Sequence, residues 1–144
     1  RWYYQEIMDM LAQRNIHPGS NIAVRDYIDN MDLCLMACDV VISRAGALSV
    51  AETTVCGKAA ILIPAPNVTA NHQYYNAKSV ADRGGAFLIE EKGLDIRQVV
   101  EDVLKLMNDR QLLNAMSQAS RACAPVRALD IICGKITEDY MALV

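Results

Sequence analysis

A predicted strand-to-helix junction carries the residue types of an anion-binding site. The uncharged run Val40–Ile42 leads into the sequence SRAGALSVAE, residues 43–52. The backbone N–H groups of Ala47, Leu48 and Ser49 have no partner within a helix that starts here, and together with the helix dipole they favour a bound anion. The Ser49 hydroxyl adds a further donor. The junction therefore predicts a phosphate or diphosphate site.

One glycine and one carboxylate complete this junction. Gly46 permits a tight turn and lets a ligand approach the backbone closely. Glu52 lies three residues after Ser49 on the same helix face. Its carboxylate is able to accept hydrogen bonds from both hydroxyls of a ribose. The alternative is a tightly packed helix in which Glu52 only favours the positive end of the dipole. Neither GxGxxG nor GxxxxGK[ST] occurs in the sequence, which excludes the dinucleotide fingerprint and the Walker loop.

A second polar group follows in the sequence NVTANHQYYNA. Thr69 or Asn71 is expected to cap a helix, and His72, Gln73 and Asn76 cluster in its first turns. Amide and imidazole groups in this position are able to bind the hydroxyls of a sugar. The alternative is a polar helix terminus that faces water.

The order of the elements predicts an α/β fold, a Rossmann-like parallel sheet with helices on both faces. Ligands of such sheets bind beyond the carboxyl ends of the strands, so the loops that follow strands are the informative ones. The predicted strands are 21–28, 39–44, 59–64 and 86–90, and the predicted helices are 2–13, 30–39 (short and buried), 47–56, 72–83, 95–107, 109–123 and 126–142.

Composition narrows the function classes. The chain has 144 residues, of which 53% are hydrophobic and 22% charged, which suits one domain with a sizeable core. The net charge of −3 argues against nucleic acid as a partner. Five cysteines without a CxxC pair are interpreted as reduced, buried thiols, and neither a metal site nor a cofactor is predicted. The sequence contains no run long enough for a transmembrane helix and no signal peptide.

Three stretches taken together resemble the C-terminal domain of the MurG family, bacterial N-acetylglucosaminyltransferases that make lipid II. The stretches are YIDNM, DVVISRAGALSVAE, and GKAAILIPAPNVTANHQYYNA followed by GGA. Their order and spacing at strand ends are more specific than any one of them. The resemblance covers about residues 20–90 by motif and continues to the end of the chain by helix pattern.

The resemblance implies a two-domain transferase of the GT-B type. Its C-terminal domain binds UDP-N-acetylglucosamine, and its N-terminal domain binds the lipid-linked acceptor. Residues 1–144 are then expected to be part of the C-terminal domain, with its first strand, its glycine-rich phosphate loop and the acceptor domain outside the sequence. The reaction is an inverting displacement at the cytoplasmic face of the bacterial cell membrane, and no DxD motif suggests a metal.

By the same resemblance, the nucleotide part of the donor meets two loops. The main chain at Ile28 is expected to contact uracil, and Glu52 to take the ribose hydroxyls. Ala47, Leu48 and Ser49 are expected to meet the diphosphate or the sugar through main chain and hydroxyl groups.

The sugar part involves the other side of the predicted site. Gln73 and Asn76 are expected to bind hydroxyls of the acetylglucosamine, including the one that separates gluco from galacto. His72 stands where some members of the family have a glutamine. Gly46 lies at the corner of the diphosphate site, and Arg44 lies beside it as a structural or electrostatic support. The general base is expected in the N-terminal domain, so no catalytic residue is assigned, and this chain alone is expected to be inactive.

Three other interpretations stay open. The first is another GT-B enzyme that uses a UDP-sugar, which a different donor preference would reveal. The second is a stand-alone donor-binding subunit of a split transferase, which would be expected to carry its own phosphate loop. The third is a signalling or structural α/β domain without a ligand, in which Glu52→Ala would change stability only.

A response-regulator-like domain fits poorly. Such a domain needs acidic residues at the end of its first strand and a lysine near the end of its last, whereas the strand ends here carry Arg44, Pro64 and Glu90.

Overall fold

The computed structural model describes residues 2–141. These residues divide into two compact units, one that ends at Leu33 and one that begins at Cys34, and each is described by itself. The helices are α1 (Trp2–Gln13), α2 (Met31–Ala37), α3 (Ala47–Val55), α4 (His72–Ala81), α5 (Ile96–Asn108), α6 (Arg110–Ala122) and α7 (Ala128–Met141), the strands are β1 (Val40–Ser43), β2 (Ala59–Leu62) and β3 (Ala86–Leu88), and a 3₁₀ turn spans Thr69–Asn71.

The first unit contains α1, a segment without regular structure and the first residues of α2. The helix predicted at 2–13 is confirmed as α1. The strand predicted at 21–28 is wrong, because these residues form neither a strand nor a helix and most of them are exposed. A strand needs a neighbour that satisfies its backbone N–H and C=O groups, and residues 2–33 contain no other strand.

The second unit is built on a parallel sheet. The strands lie in the order β1-β2-β3, with Val40 opposite Ala59 and Ala60 opposite Ala86. The central strand β2 is buried along its whole length, as expected of a parallel strand that is covered on both faces. The predicted α/β fold is therefore confirmed, and the predicted strands 39–44, 59–64 and 86–90 correspond to β1, β2 and β3.

Successive residues of the strands point to opposite faces, so the core has two parts. On one face, Ala60 and Leu62 of β2 pack with Ala77 and Val80 of α4, and Val50 of α3 lies against this cluster. On the other face, Ala59 packs with residues of α5 and α6. The buried members of this second cluster are Ala59, Leu106, Leu113 and Met116. Helices therefore cover both faces, and the carboxyl ends of all three strands meet at one edge.

Two helix ends show how the sequence sets the length of these elements. Gly57, with φ +61°, follows Cys56 at the end of α3, in the left-handed conformation that favours glycine. Asp109 both ends α5 and begins α6. Its carboxylate accepts from the backbone N–H groups of Gln111 (3.0 Å) and Leu112 (2.9 Å), which satisfies two donors at the start of α6.

Helix α6 is fixed against the rest of the second unit at two points. A Cβ on Gly85 would lie 2.8 Å from the backbone N and Cα of Ser120, so only glycine fits between the end of α4 and α6. Arg121 donates to the carbonyl of Val55 at the end of α3. Helix α6 thus contacts the chain before β3 through Gly85 and the end of α3 through Arg121.

Two expectations about burial are wrong. The predicted helix 30–39 exists as α2, but only Leu35 is buried in it, while Leu33 and Met36 are exposed. Two of the five thiols, Cys34 and Cys133, are also exposed. Cys133 belongs to α7, which has no buried residue. Apolar residue type indicates burial only where another element covers the side chain.

Candidate functional site

The site lies where β1 leads into α3 at the carboxyl edge of the sheet. Gly46 is the N-cap residue of α3, with φ −61° and ψ 148°. This is an extended conformation that any residue adopts, so the turn itself does not require glycine. A Cβ on Gly46 would contact only the Ser49 Oγ, at 3.9 Å. The glycine therefore leaves open space beside the backbone at the start of α3.

The first turn of α3 presents its backbone donors to the outside. Ala47 and Leu48 are exposed, and Ser49 is half-buried. No side chain caps this helix, and the N–H groups of these three residues meet no acceptor in the part of the chain that the structure describes. The geometry thus provides the cluster of N–H groups that was predicted for an anion.

Glu52 stands on α3, three residues after Ser49, with an exposed side chain. Among residues 2–141 it forms neither an ion pair nor a side-chain hydrogen bond. Its neighbours in sequence, Thr53 and Thr54, are buried, which sets the outward direction of the carboxylate. The carboxylate is thus available to a ligand.

Gln73 and Asn76, on α4, each use one half of the side-chain amide to bind backbone. The Gln73 Oε1 accepts from the N–H of Ala65 (3.0 Å), and the Asn76 Nδ2 donates to the carbonyl of Ala45 (3.1 Å). The backbone partners fix which amide atom faces inward, because an N–H only donates and a carbonyl only accepts. The Nε2 of Gln73 and the Oδ1 of Asn76 are left without a hydrogen-bond partner among the described residues.

His72 opens α4 and is exposed. Its Nδ1 lies 2.8 Å from the carbonyl of Thr69, which only accepts, so Nδ1 carries a hydrogen. Asn71 is the N-cap residue of α4, one of the two positions predicted, but neither its side chain nor that of Thr69 makes a capping hydrogen bond. Ala70 and Asn71 instead both have φ +52°, a region that is strained for alanine.

Arg44 lies across the sheet edge. Its guanidinium donates to the carbonyl of Ile63 (3.3 Å), just after β2, and forms an ion pair with Glu91, after β3. These three residues also line one side of a cavity of about 290 Å³ at this edge. Sequence reasoning did not single out Glu91. The only available signal was its position in the loop that follows β3.

Ile28, the remaining predicted site residue, belongs to the first unit. It is half-buried in the segment without regular structure. The second unit brings the other predicted residues to the β1–α3 and β2–α4 connections. These residues are Arg44, Gly46, Ala47, Leu48, Ser49, Glu52, His72, Gln73 and Asn76.

Two shifted pKa values lie outside this group. Burial raises the pKa of the Cys38 thiol, and the positive charge of Lys58 opposes this to a smaller extent. The hydrogen bond from Lys78 to Asp82 raises the pKa of that lysine. Within residues 2–141, no group of three or more His, Cys, Asp or Glu side chains is arranged to hold a metal ion.

None of the described helices is long and apolar enough to cross a membrane.

The chain is similar in sequence to known transferases. The chain is 38% identical over 138 residues to the UDP-N-acetylglucosamine--N-acetylmuramyl-(pentapeptide) pyrophosphoryl-undecaprenol N-acetylglucosamine transferase of Clostridioides difficile, which covers 96% of this chain and 33% of the relative. It is 40% identical over 130 residues to the enzyme of the same name from Oenococcus oeni, covering 90% and 35%. The chain thus spans about a third of the length of the curated relatives that it matches.

A solved structure gives the same result for the fold. The crystal structure of Acinetobacter baumannii MurG superimposes with a TM-score of 0.79 at 30% identity, over 93% of this chain and 40% of that chain. The profile of the glycosyltransferase family 28 C-terminal domain matches residues 3–130. The expected resemblance is confirmed, and the chain belongs to the glycosyltransferase family 28 C-terminal domain family.

Proposed function

We propose that this chain is the donor-binding domain of a transferase that moves N-acetylglucosamine from UDP-N-acetylglucosamine to a lipid-linked muramyl acceptor, giving lipid II. One observation carries the proposal. The first turn of α3 presents three backbone N–H groups without acceptors among the described residues, beside open space at Gly46 and one turn from the exposed Glu52.

The diphosphate is placed against the start of α3. The N–H groups of Ala47, Leu48 and Ser49 point along the helix axis toward it, and the helix dipole adds a partial positive charge. The open space at Gly46 lets a phosphate oxygen approach the backbone. During transfer, the same groups stabilise the negative charge that develops on the departing UDP.

The ribose is placed at Glu52. A carboxylate accepts two hydrogen bonds from a vicinal diol, and bonds to a charged acceptor are stronger than neutral ones. The main chain at Ile28 is proposed to contact uracil. Glu52 carries no competing partner among residues 2–141, so the diol replaces water only.

The sugar is placed against α4. Because Gln73 Oε1 and Asn76 Nδ2 bind backbone, Gln73 is proposed to donate to one sugar oxygen and Asn76 to accept from one hydroxyl. His72, with Nδ1 bonded to Thr69, presents Nε2 as a further acceptor. A donor and an acceptor in fixed positions distinguish an equatorial from an axial hydroxyl. They therefore support a preference for gluco over galacto sugars.

The rest of the reaction is proposed from the family. The C4 hydroxyl of the muramoyl sugar attacks the anomeric carbon with inversion, and UDP leaves. The names of the relatives include an undecaprenol acceptor, which supports a site of action at the cytoplasmic face of the bacterial membrane. The acceptor-binding residues and the general base are proposed to lie in a separate N-terminal domain.

The test is a calorimetric titration of the chain with UDP and with 2′-deoxy-UDP, for the wild type and Glu52→Ala. We expect the variant to lose about 1.5–3 kcal/mol of binding free energy for UDP, the value of hydrogen bonds to a charged group. The loss of binding free energy for 2′-deoxy-UDP should be smaller, because this ligand lacks one of the two hydroxyls that donate a hydrogen bond to Glu52.

Two controls sharpen this titration. Glu101→Ala removes an equally exposed carboxylate from α5 and should leave the affinity for UDP unchanged. UDP-N-acetylglucosamine should bind more tightly than UDP-N-acetylgalactosamine. A folded wild-type chain that binds neither UDP nor UDP-sugar would contradict the proposal, and a galacto preference would indicate another UDP-sugar transferase.

A further inference from the structure

Glu91 is a carboxylate at the edge of the sheet where an anion is proposed to bind. It follows β3 and pairs with Arg44, which follows β1. The two side chains are 39% and 53% exposed, respectively. An ion pair this exposed contributes little to stability, and a negative charge at this edge repels a diphosphate. Neither stability nor ligand attraction therefore accounts for Glu91.

The contacts of Arg44 suggest a different role. The guanidinium reaches from the end of β1 to the carbonyl of Ile63 after β2 and to Glu91 after β3. One side chain thus joins the carboxyl ends of all three strands. Glu91 decides its direction, because its carboxylate accepts from the guanidinium at the far end of this span.

The next residue along the chain is held from the other side. The carbonyl of Ala45, which is fully buried, accepts from the Asn76 side chain of α4. Arg44 and Ala45 are therefore both fixed, and Gly46 alone separates them from the first turn of α3. The position of the α3 N–H groups depends on these two attachments.

We propose that Glu91 is a positioning residue for the donor diphosphate. It orients Arg44 along the sheet edge, and Arg44 in turn fixes the entry of α3 so that the N–H groups of Ala47 to Ser49 converge on one point. This inference rests on the proposed function for the identity of the anion. The role requires a hydrogen-bond acceptor at position 91 rather than a negative charge, because it is the orientation of the guanidinium that matters.

The first measurement does not need a ligand. Backbone amide signals of the chain are compared by ¹H–¹⁵N NMR for the wild type, Glu91→Ala and Glu91→Gln. We expect Glu91→Ala to shift or broaden the signals of Gly46, Ala47 and Leu48, although these residues are remote in sequence. Glu91→Gln keeps an acceptor for the guanidinium and should leave these signals close to those of the wild type.

The second measurement uses UDP and uridine in a calorimetric titration. Glu91→Ala should weaken the binding of UDP by about fivefold, the order expected for the loss of one hydrogen bond to a charged group that acts indirectly. The affinity for uridine, which has no phosphate, should not change. Glu91→Gln should restore the affinity for UDP.

The adjacent carboxylate supplies a matched control. Glu90 is exposed and makes no side-chain hydrogen bond with the described residues, so Glu90→Ala should change neither the amide signals nor the affinity for UDP. Unchanged amide signals in folded Glu91→Ala would overturn the inference, and so would tighter binding of UDP, which would make Glu91 an electrostatic screen. If the signals shift but the wild type does not bind UDP, the positioning of α3 stands and the proposed function fails.

Discussion

The polar side chains of the site form hydrogen bonds with the backbone of the protein itself. Gln73 and Asn76 each bind a backbone group, which lies 8 and 31 residues away, respectively. Arg44 binds the carbonyl of Ile63, 19 residues away. These bonds fix the connections that follow β1 and β2 and determine which atoms remain for a ligand. At the scale of single residues, the site is therefore preorganised by the same groups that are proposed to bind the sugar.

Gly46→Ala separates the needs of the fold from those of the ligand. Alanine adopts the φ of −61° without strain, and its Cβ has only the Ser49 Oγ at 3.9 Å. The reduced entropy of the unfolded chain stabilises the variant by about 0.4–1 kcal/mol, but the N-cap position favours glycine over alanine by a similar amount, so the urea midpoint should stay close to that of the wild type. Its affinity for UDP should fall, because the methyl group occupies the space proposed for the diphosphate.

Urea unfolding and titration with UDP, on the same preparation, check this prediction. Gly134→Ala, in the exposed helix α7 where a Cβ meets nothing within 4 Å, serves as the control that changes stability only. An undiminished affinity of Gly46→Ala for UDP would show that the diphosphate does not approach the backbone at this residue.

Residue spacing predicts which side chains lie at the strand ends, but not their partners. Glu52 and Ser49 are close because both belong to one helix, and a local repeat is sufficient to predict this. The pairing of Arg44 with Glu91 joins residues 47 apart in sequence. It depends on the order of the strands, which no local pattern encodes. The same holds for the orientation of the two amides.

At the scale of elements, periodic apolar patterns predict helices and strands wherever a neighbouring element completes the packing. Strands β1, β2 and β3 were predicted because each is a short apolar run between turn signals. The segment 21–28 also contains apolar residues, but it carries the charged Arg25 and Asp26, and residues 2–33 offer it no second strand to pair with. Strand formation requires a partner as well as a pattern, so the sequence of a segment alone was insufficient here.

Gly85→Ala tests how closely the elements pack. The added Cβ would lie 2.8 Å from the backbone of Ser120 in α6 and 2.9 Å from the Val80 Cγ1, so α6 or the start of β3 has to move. We expect the free energy of unfolding to fall by about 1–3 kcal/mol, as for overpacked cores. Gly134→Ala again supplies the control, and an unchanged urea midpoint of Gly85→Ala would contradict the close contact.

At the scale of the whole molecule, binding and transfer are proposed to be separable. The one carboxylate that we place in the site, Glu52, is assigned to the ribose, and the Nε2 of His72 is assigned to the sugar. This leaves no residue assigned as a general base. We therefore expect the chain to bind UDP-N-acetylglucosamine without transferring the sugar.

Release of UDP in the presence of donor and lipid-linked muramyl acceptor measures this. The full-length transferase of Clostridioides difficile serves as the positive control for the acceptor preparation. Release of UDP by the 144-residue chain above the rate without protein would contradict the prediction, and His72→Ala would then show whether the imidazole is the base.

The corner between α5 and α6 has a consequence for how this domain tolerates changes in length. Asp109 is both the C-cap of α5 and the N-cap of α6. It is therefore the only residue between the two helices. One residue inserted between Asp109 and Ser120 would rotate the rest of α6 by about 100° about its axis. Ser120 would then lose its close contact with Gly85, and Arg121 would lose its hydrogen bond to the carbonyl of Val55. Insertions and deletions between relatives are therefore expected elsewhere in the domain, and this corner provides a fixed point for aligning their sequences.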